Sequence, residues 1–402
     1  MGWGPGAGPW PYTLLTDADL SVELAHSSGA RSIGGWDAVS FQPYADADWS
    51  NQDRYVAQDW TIGEGVWRFC GLFDGHAGDD TVEHTVNTLP SVIERALRKA
   101  LASPSSSAAE STVSLISNLL VKEIKAFDEQ LGKDLFDIFP EDIDPLTDLS
   151  GEEIRAILND SGERTLKGER CKQGSTVLIS ILDPSGRNLW VASLGDCDGV
   201  LGTQDQSGEW DIRVLSSNHN AKNPEEAGRI RGEHPGEAEC VVDDRVLGMM
   251  AVTRAVGDLQ FKFPKSWTER LLMNVGPPFQ FAVADVDRFI ARNLSPPYLS
   301  NVAEVQHVYL GDVDERPRKR FLIMSSDGLY DLRSDEEEDM MVGELATDWM
   351  EAVAGVPEGA NKALGLLRHA LGGEDEEKIS SHLTVEMMER WMDDTTILVR
   401  SI

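Results

Sequence analysis

Leu72-Phe73-Asp74-Gly75-His76-Ala77-Gly78 closes an apolar, β-prone run that opens at Trp67. The run predicts a strand, and Gly75 and Gly78 predict the turn that stops it. Asp74 therefore sits at a strand mouth, followed directly by a bare glycine carbonyl and an imidazole. Carboxylate and carbonyl oxygens suit a hard cation such as Mg²⁺ or Mn²⁺, whereas zinc would favour clustered His and Cys that this chain lacks. His76 adds a proton donor beside them. Taken alone, Asp-Gly-His is equally a good turn.

Two remote stretches repeat the design. Phe321-Leu322-Ile323-Met324-Ser325-Ser326-Asp327-Gly328 is another apolar run ending in Asp-Gly, and Asp393-Asp394 stands just before the β-branched run Thr395-Thr396-Ile397-Leu398-Val399. Carboxylates gathered at one point repel one another and are driven to protonate, so their convergence is easiest to explain if cations sit between them.

Composition narrows the classes. The 402 residues, 41% of them hydrophobic, suffice for one large domain or two small ones. A formal net charge of -33 argues against nucleic acid or an anionic membrane as partner, because phosphate is held by Lys and Arg. Most of that charge is expected on a solvated surface. Cys70, Cys171, Cys197 and Cys240 show no C-x-x-C spacing and read as reduced core residues of an intracellular protein. Residues 1–12 carry no base and no continuous apolar stretch, so the expectation is a cytoplasmic protein without signal or transit peptide, and no membrane span is expected.

Along the chain, Val86, Leu89, Ile93 and Leu97 predict an amphipathic helix over 82–101, and a second helix is expected over 113–131. Residues 103–109 read as a low-complexity loop and 134–153 as an acidic, Pro-broken stretch. Residues 174–215 predict a β-meander of short strands. A helix is expected near 224–233. Residues 335–391 read as an acidic, mainly helical excursion before the last strand, starting with a solvated acidic run at 335–339. Strands and blocks of helices alternate with no clean linker, which favours antiparallel sheets covered by helices in one domain.

Read in order, these blocks resemble the metal-dependent Ser/Thr protein phosphatases of the PPM (type 2C) family. The likeness rests on Asn51-Gln52-Asp53-Arg54, on 72–78, on Gly174-Ser175-Thr176 and on Ala192-Ser193-Leu194-Gly195-Asp196. It continues through Arg254-Ala255-Val256-Gly257-Asp258, Ser326-Asp327-Gly328 and Asp393-Asp394-Thr395-Thr396. Within the family, His219-Asn220-Ala221-Lys222-Asn223, Glu233-His234-Pro235 and Arg245-Val246-Leu247-Gly248 are similar to the pyruvate dehydrogenase phosphatase branch. That branch makes mitochondria the alternative compartment.

The resemblance implies an α+β fold, an αββα sandwich of two antiparallel sheets flanked by helices. It implies an N-terminal extension over 1–41 and a phosphatase domain over 42–402, with insertions near 103–170 and 333–390. It also implies hydrolysis of phosphoserine and phosphothreonine in a phosphoprotein by a water bridging two divalent metals, Mg²⁺ or Mn²⁺. Asp74 would bridge both ions, the Gly75 carbonyl would bind one, and Asp327 and Asp393 would hold the other. Asp53 would orient water, Asp196 would serve a weaker third ion, and His76 would be the general acid. Arg254 and Asp258 divide between scaffold and site, and His219 reads as a loop-fixing residue. Gln52 stands for the family's Glu, Asn218 for Asp, and the phosphate-binding Arg ahead of the first acidic motif is missing. These departures keep open a pseudophosphatase that serves as a binding scaffold.

Overall fold

The computed structural model describes residues 10–44, 50–102, 111–276, 283–311, 319–332, 340–387 and 390–402. The expected loop at 103–109 and the acidic run at 335–339 lie outside the described residues.

The strands are β1 (Arg31–Ile33), β2 (Trp36–Phe41), β3 (Arg54–Ile62), β4 (Gly65–Phe73), β5 (Gly75–His76), β6 (Gly174–Ser175), β7 (Val177–Leu182) and β8 (Asn188–Leu194). They continue with β9 (Asp198–Gln204), β10 (Trp210–Val214), β11 (Val241–Val242), β12 (Arg245–Val246), β13 (Val256–Gly257), β14 (Glu304–Tyr309), β15 (Lys319–Ser325) and β16 (Thr395–Ser401). One antiparallel sheet has the order β1-β2-β16-β15-β9-β10 and the other β14-β8-β7-β4-β3. Successive side chains of a strand face opposite sides, so a strand buried on both faces feeds two cores. In β4, Cys70 and Leu72 face the core between the sheets while Phe69 and Phe73 face the helices. In β15, Leu322 and Met324 point inward and Phe321 and Ile323 outward. This double burial is why these strands read as continuous apolar runs rather than alternating ones.

Helices cover both outer faces. They are α1 (Asp17–Ser28), α2 (Asp80–Ala102), α3 (Thr112–Phe136), α4 (Gly151–Leu158), α5 (Gly162–Lys172) and α6 (Pro224–Glu233). The rest are α7 (Lys265–Arg270), α8 (Val283–Arg292), α9 (Asp327–Asp331), α10 (Val342–Gly355), α11 (Lys362–Leu371) and α12 (Glu376–Thr384). α2 buries Val82, Leu89, Ile93 and Leu97 against the second sheet, matching the expected periodicity. Pro224 at the first turn and the Asn223 side chain, which accepts from the Glu225 N–H, start α6 where a helix was expected. α1, α10 and α11 pack on the first sheet, and α12 packs on α1 and α11. The αββα sandwich is therefore the fold.

Two expectations change. The meander over 174–215 is split: β7 and β8 pair in one sheet, whereas β9 pairs with β15 and β10 in the other. The chain crosses between sheets at Gly195, whose φ of +115° is open to glycine but strained for other residues, and the crossing delivers Asp196 to the sandwich edge. Nor is the segment before residue 42 an appendage from Asp17 onward. β2 lies between β1 and β16 in the six-stranded sheet, and α1 buries Leu20 and Leu24 against it.

Candidate active site

Antiparallel pairing brings the acids to one edge. Arg54 at the start of β3 lies opposite Phe73 at the end of β4, so Asp53 and Asp74 share an end. Ser325 at the end of β15 lies opposite Ile397 in β16, which does the same for Asp327 and Asp393. The crossing after β8 adds Asp196. Carboxylate oxygens of Asp74, Asp196 and Asp327 all lie within 4.8 Å of one another, and so do those of Asp327, Asp331 and Asp393. Asp74, Asp196, Asp327 and Asp393 line a cavity of about 480 Å³.

Local bonds fix each acid. The Asp74 N–H donates to Thr176 Oγ1 (3.0 Å), and Thr176 N–H donates back to the Asp74 carbonyl (2.8 Å). Asp53 Oδ2 accepts from Ser326 Oγ at 2.7 Å, while its buried Oδ1 has no partner. Asp394 turns away from the cavity lining and is structural. It accepts from the Gln52 N–H (2.8 Å), Gln42 Nε2 (3.0 Å) and Arg390 (2.8 Å), leaving Asp393 at the mouth. Gln52 satisfies both ends of its amide when its nitrogen faces the Gly75 carbonyl (3.3 Å) and its oxygen the Gly78 N–H (3.1 Å). A side chain at Gly75 would collide with Val82 and the Gln52 carbonyl, so only glycine permits this approach.

Electrostatics show what the arrangement lacks. Burial, then the charges of Asp53, Asp327 and Asp196, hold the Asp74 carboxyl well above the usual range. Burial and its acidic neighbours raise Asp327 likewise, and burial raises Asp196. Asp53 is pushed up to about 7, chiefly by burial and by Asp394 against the Ser326 hydrogen bond. Mutually repelling oxygens with one orphaned acceptor, and no thiolate or imidazole in the set, fit hard divalent cations.

His76 lies beside them. Its Nε2 is 2.7 Å from Oδ2 of the fully buried Asp258. Burial pulls the imidazole pKa down, but the Asp258 charge and hydrogen bond more than offset it, leaving the ring above its ordinary 6.5. Asp258 adopts a left-handed φ of +51°, and its N–H donates to the Gln173 carbonyl (2.9 Å). Gly174 lets the pair meet: a Cβ there would lie 2.1 Å from both His76 Nε2 and Asp258 Oδ2.

The remaining expected residues sort by contact. His219 is structural: its Nδ1 accepts from the Gly195 N–H at 3.2 Å, and burial with the nearby Arg254 lowers its pKa to about 4. Arg254 is scaffold, paired with Glu226 and Glu304. Arg54 bonds Glu83 and the Asn51 and Asp53 carbonyls. Among the described residues, the Lys and Arg side chains that line the cavity are Lys172 and Arg245, the latter from the β11–β12 hairpin with Met249 and Met250 beside it. Neither was expected there, nor was Asp331. Asp331 lies four residues after Asp327 on α9, a spacing that puts both acids on one helix face and was readable in the sequence.

The sequence matches the profile described as Protein phosphatase 2C over residues 48–364. It is 29% identical over 395 residues to a protein phosphatase 2C homolog of Schizosaccharomyces pombe, covering 89% of this chain and 79% of that one. It is 32% identical over 280 residues to mitochondrial [pyruvate dehydrogenase [acetyl-transferring]]-phosphatase 2 of Homo sapiens, covering 61% of this chain and 51% of that protein. The chain thus spans about half the length of that human relative. Among solved structures, serine-threonine phosphatase 2C from Toxoplasma gondii superposes with a TM-score of 0.52 at 18% identity, over 92% of this chain and 96% of that one, a likeness of fold. Matched over most of its length and folded as the αββα sandwich, this chain belongs to the protein phosphatase 2C family.

Proposed function

We propose that this chain hydrolyses phosphoserine and phosphothreonine monoesters in proteins with the aid of two Mg²⁺ or Mn²⁺ ions. The observation that carries this reading is the meeting of Asp74, Asp196 and Asp327 from two sheets beside the His76–Asp258 pair. Asp74, the Gly75 carbonyl, Asp327 and Asp393 would hold the two ions, Asp53 would orient a water, and Asp196 would serve a third. When bound, such ions neutralise phosphoryl oxygens and make water a nucleophile near neutral pH. With Nε2–H given to Asp258, His76 carries its second proton on Nδ1 and passes it to the departing seryl or threonyl oxygen. The raised pKa favours that protonated form. Arg245, which lines the same cavity, would be the cation that orients the phosphate, and Met249 and Met250 would offer adaptable apolar surface to the peptide around it.

A phosphopeptide assay with and without Mn²⁺ tests the reading. Wild type should turn over only with metal, and Asp74→Asn and Asp327→Asn should each lose about 100-fold or more, since even residues behind the ligands cost about 10–100-fold. Equal, metal-insensitive rates in all three proteins would discard the site, and metal binding without turnover in any would favour the scaffold reading. The human relative's name makes phosphorylated pyruvate dehydrogenase the first protein substrate to try. Fractionation decides between the cytoplasm and the mitochondria.

A further inference from the structure

At the edge of the sandwich opposite the carboxylates, a cavity of about 780 Å³ opens between the two sheets, bounded by the end of α10 and the start of α11. Arg68, Lys319, Arg320, Lys362 and Arg400 line it, with Glu358 as the one carboxylate side chain among the described lining residues. Three of the strands that carry acids to one edge carry these arginines to the other. Arg68 precedes Asp74 by six residues along β4, Arg320 precedes Asp327 by seven along β15, and Arg400 follows Asp393 by seven along β16. At about 3.3 Å per residue, the cavity lies roughly 20 Å from the carboxylates.

Neutral oxygens hold these cations without cancelling their charge. Lys319 Nζ donates to the Ala354 carbonyl (2.9 Å) and Arg320 to the Leu310 carbonyl (2.8 Å) and Thr203 Oγ1 (3.2 Å). Arg400 donates to the Gly34 carbonyl (3.1 Å) with its guanidinium over the Trp36 ring. Among the described residues none of the five makes an ion pair with a carboxylate. Burial and a neighbouring cation, Arg213 for Arg320 and Arg68 for Arg400, push both guanidiniums below their ordinary value, Asp59 opposing this at Arg400. A chain with 69 acids against 36 bases has thus gathered five half-buried bases in one concavity, against a single lining carboxylate side chain, Glu358, among the described residues. A bound anion would relieve that repulsion.

The volume falls in the range of small-molecule sites, several times that of a single phosphate. Guanidinium forks and ammonium groups together favour phosphoryl oxygens. We propose that this cavity is an anion site, remote from the catalytic edge, for a small molecule bearing clustered phosphate groups. It does not depend on the phosphatase reading.

Calorimetry on the full chain in EDTA at low salt, with inorganic tripolyphosphate and ATP as separate titrants, tests it. Binding of either supports the site. Equal affinities would show that the phosphate chain alone is recognised, and tighter ATP binding would identify a nucleotide. The double variant Arg68→Gln/Lys362→Gln should weaken binding about tenfold or more, while Lys122→Gln, at an exposed position of α3, and Asp327→Asn should leave it unchanged. Should the double variant not fold, Ser401→Glu, which adds a carboxylate at the exposed rim, should weaken binding in its place. No heat with either titrant at millimolar concentration overturns the proposal. So does binding that survives the basic-residue and rim variants, or that is lost in Asp327→Asn.

Discussion

At the scale of single residues, the His76–Asp258 contact offers the sharpest test. Removing a well-placed proton donor costs roughly 10²–10⁴-fold, so His76→Ala should lower kcat by that factor on alkyl phosphoesters. It should cost much less on para-nitrophenyl phosphate, whose leaving group needs no proton. Asp258→Asn removes the charge that lifts the imidazole pKa, and should shift the alkaline limb of the pH–rate profile to lower pH while keeping the protein folded. Gly174→Ala is a steric counterpart. Its Cβ would press on both partners at once, and the expected result is reduced turnover with metal binding intact, read by metal titration. Asp74, Asp327 and Asp393 were legible because each stands at the mouth of an apolar run. Arg245 and Lys172 were not, since nothing in a hairpin or at a helix end announces what it will face after folding.

At the scale of elements, α3 is tied to the loop that carries Asp258 by one buried carboxylate. Asp128 accepts from the Gly257 N–H (2.8 Å), Lys262 Nζ (2.7 Å) and Asn301 Nδ2 (2.9 Å), and it and Lys262 are almost wholly buried. Removing one partner of such a pair strands the other charge, at about 3–5 kcal/mol. Asp128→Ala should lose that much in urea unfolding and should also slow turnover, because the loop it frees carries Asp258. Asp128→Asn, which keeps an acceptor for Gly257, should be milder in both measurements. The helices themselves were readable from periodicity and caps. Sheet membership was not. β7 to β10 share a composition, and the partner strands β4, β14 and β15, each more than a hundred residues away along the chain, decide which pair joins which sheet.

For the whole molecule, pH and metal should act as one variable. Asp53 has a folded value near 7 against an unfolded 3.8, so the metal-free fold holds a proton that the unfolded chain releases. Stability from such a group is full below about 3.8 and is lost as pH rises through about 7. Asp74 and Asp327 are displaced in the same direction. The Tm of protein in EDTA should therefore fall between pH 5 and pH 8, and the rise in Tm on adding Mg²⁺ should grow over the same interval as cations take the place of protons. Scanning calorimetry at fixed ionic strength checks both slopes.

The crossing at Gly195 has a mechanical corollary. Asp53 and Asp74 flank strands of one sheet, Asp327 and Asp393 flank strands of the other, and Asp196 lies in the crossing between them, so shear of the two layers would pull the oxygens out of register. An ion held among them would act as a rivet through the laminate. Filling the centre should slow amide exchange along β15 and β4 together, far from the ligands themselves.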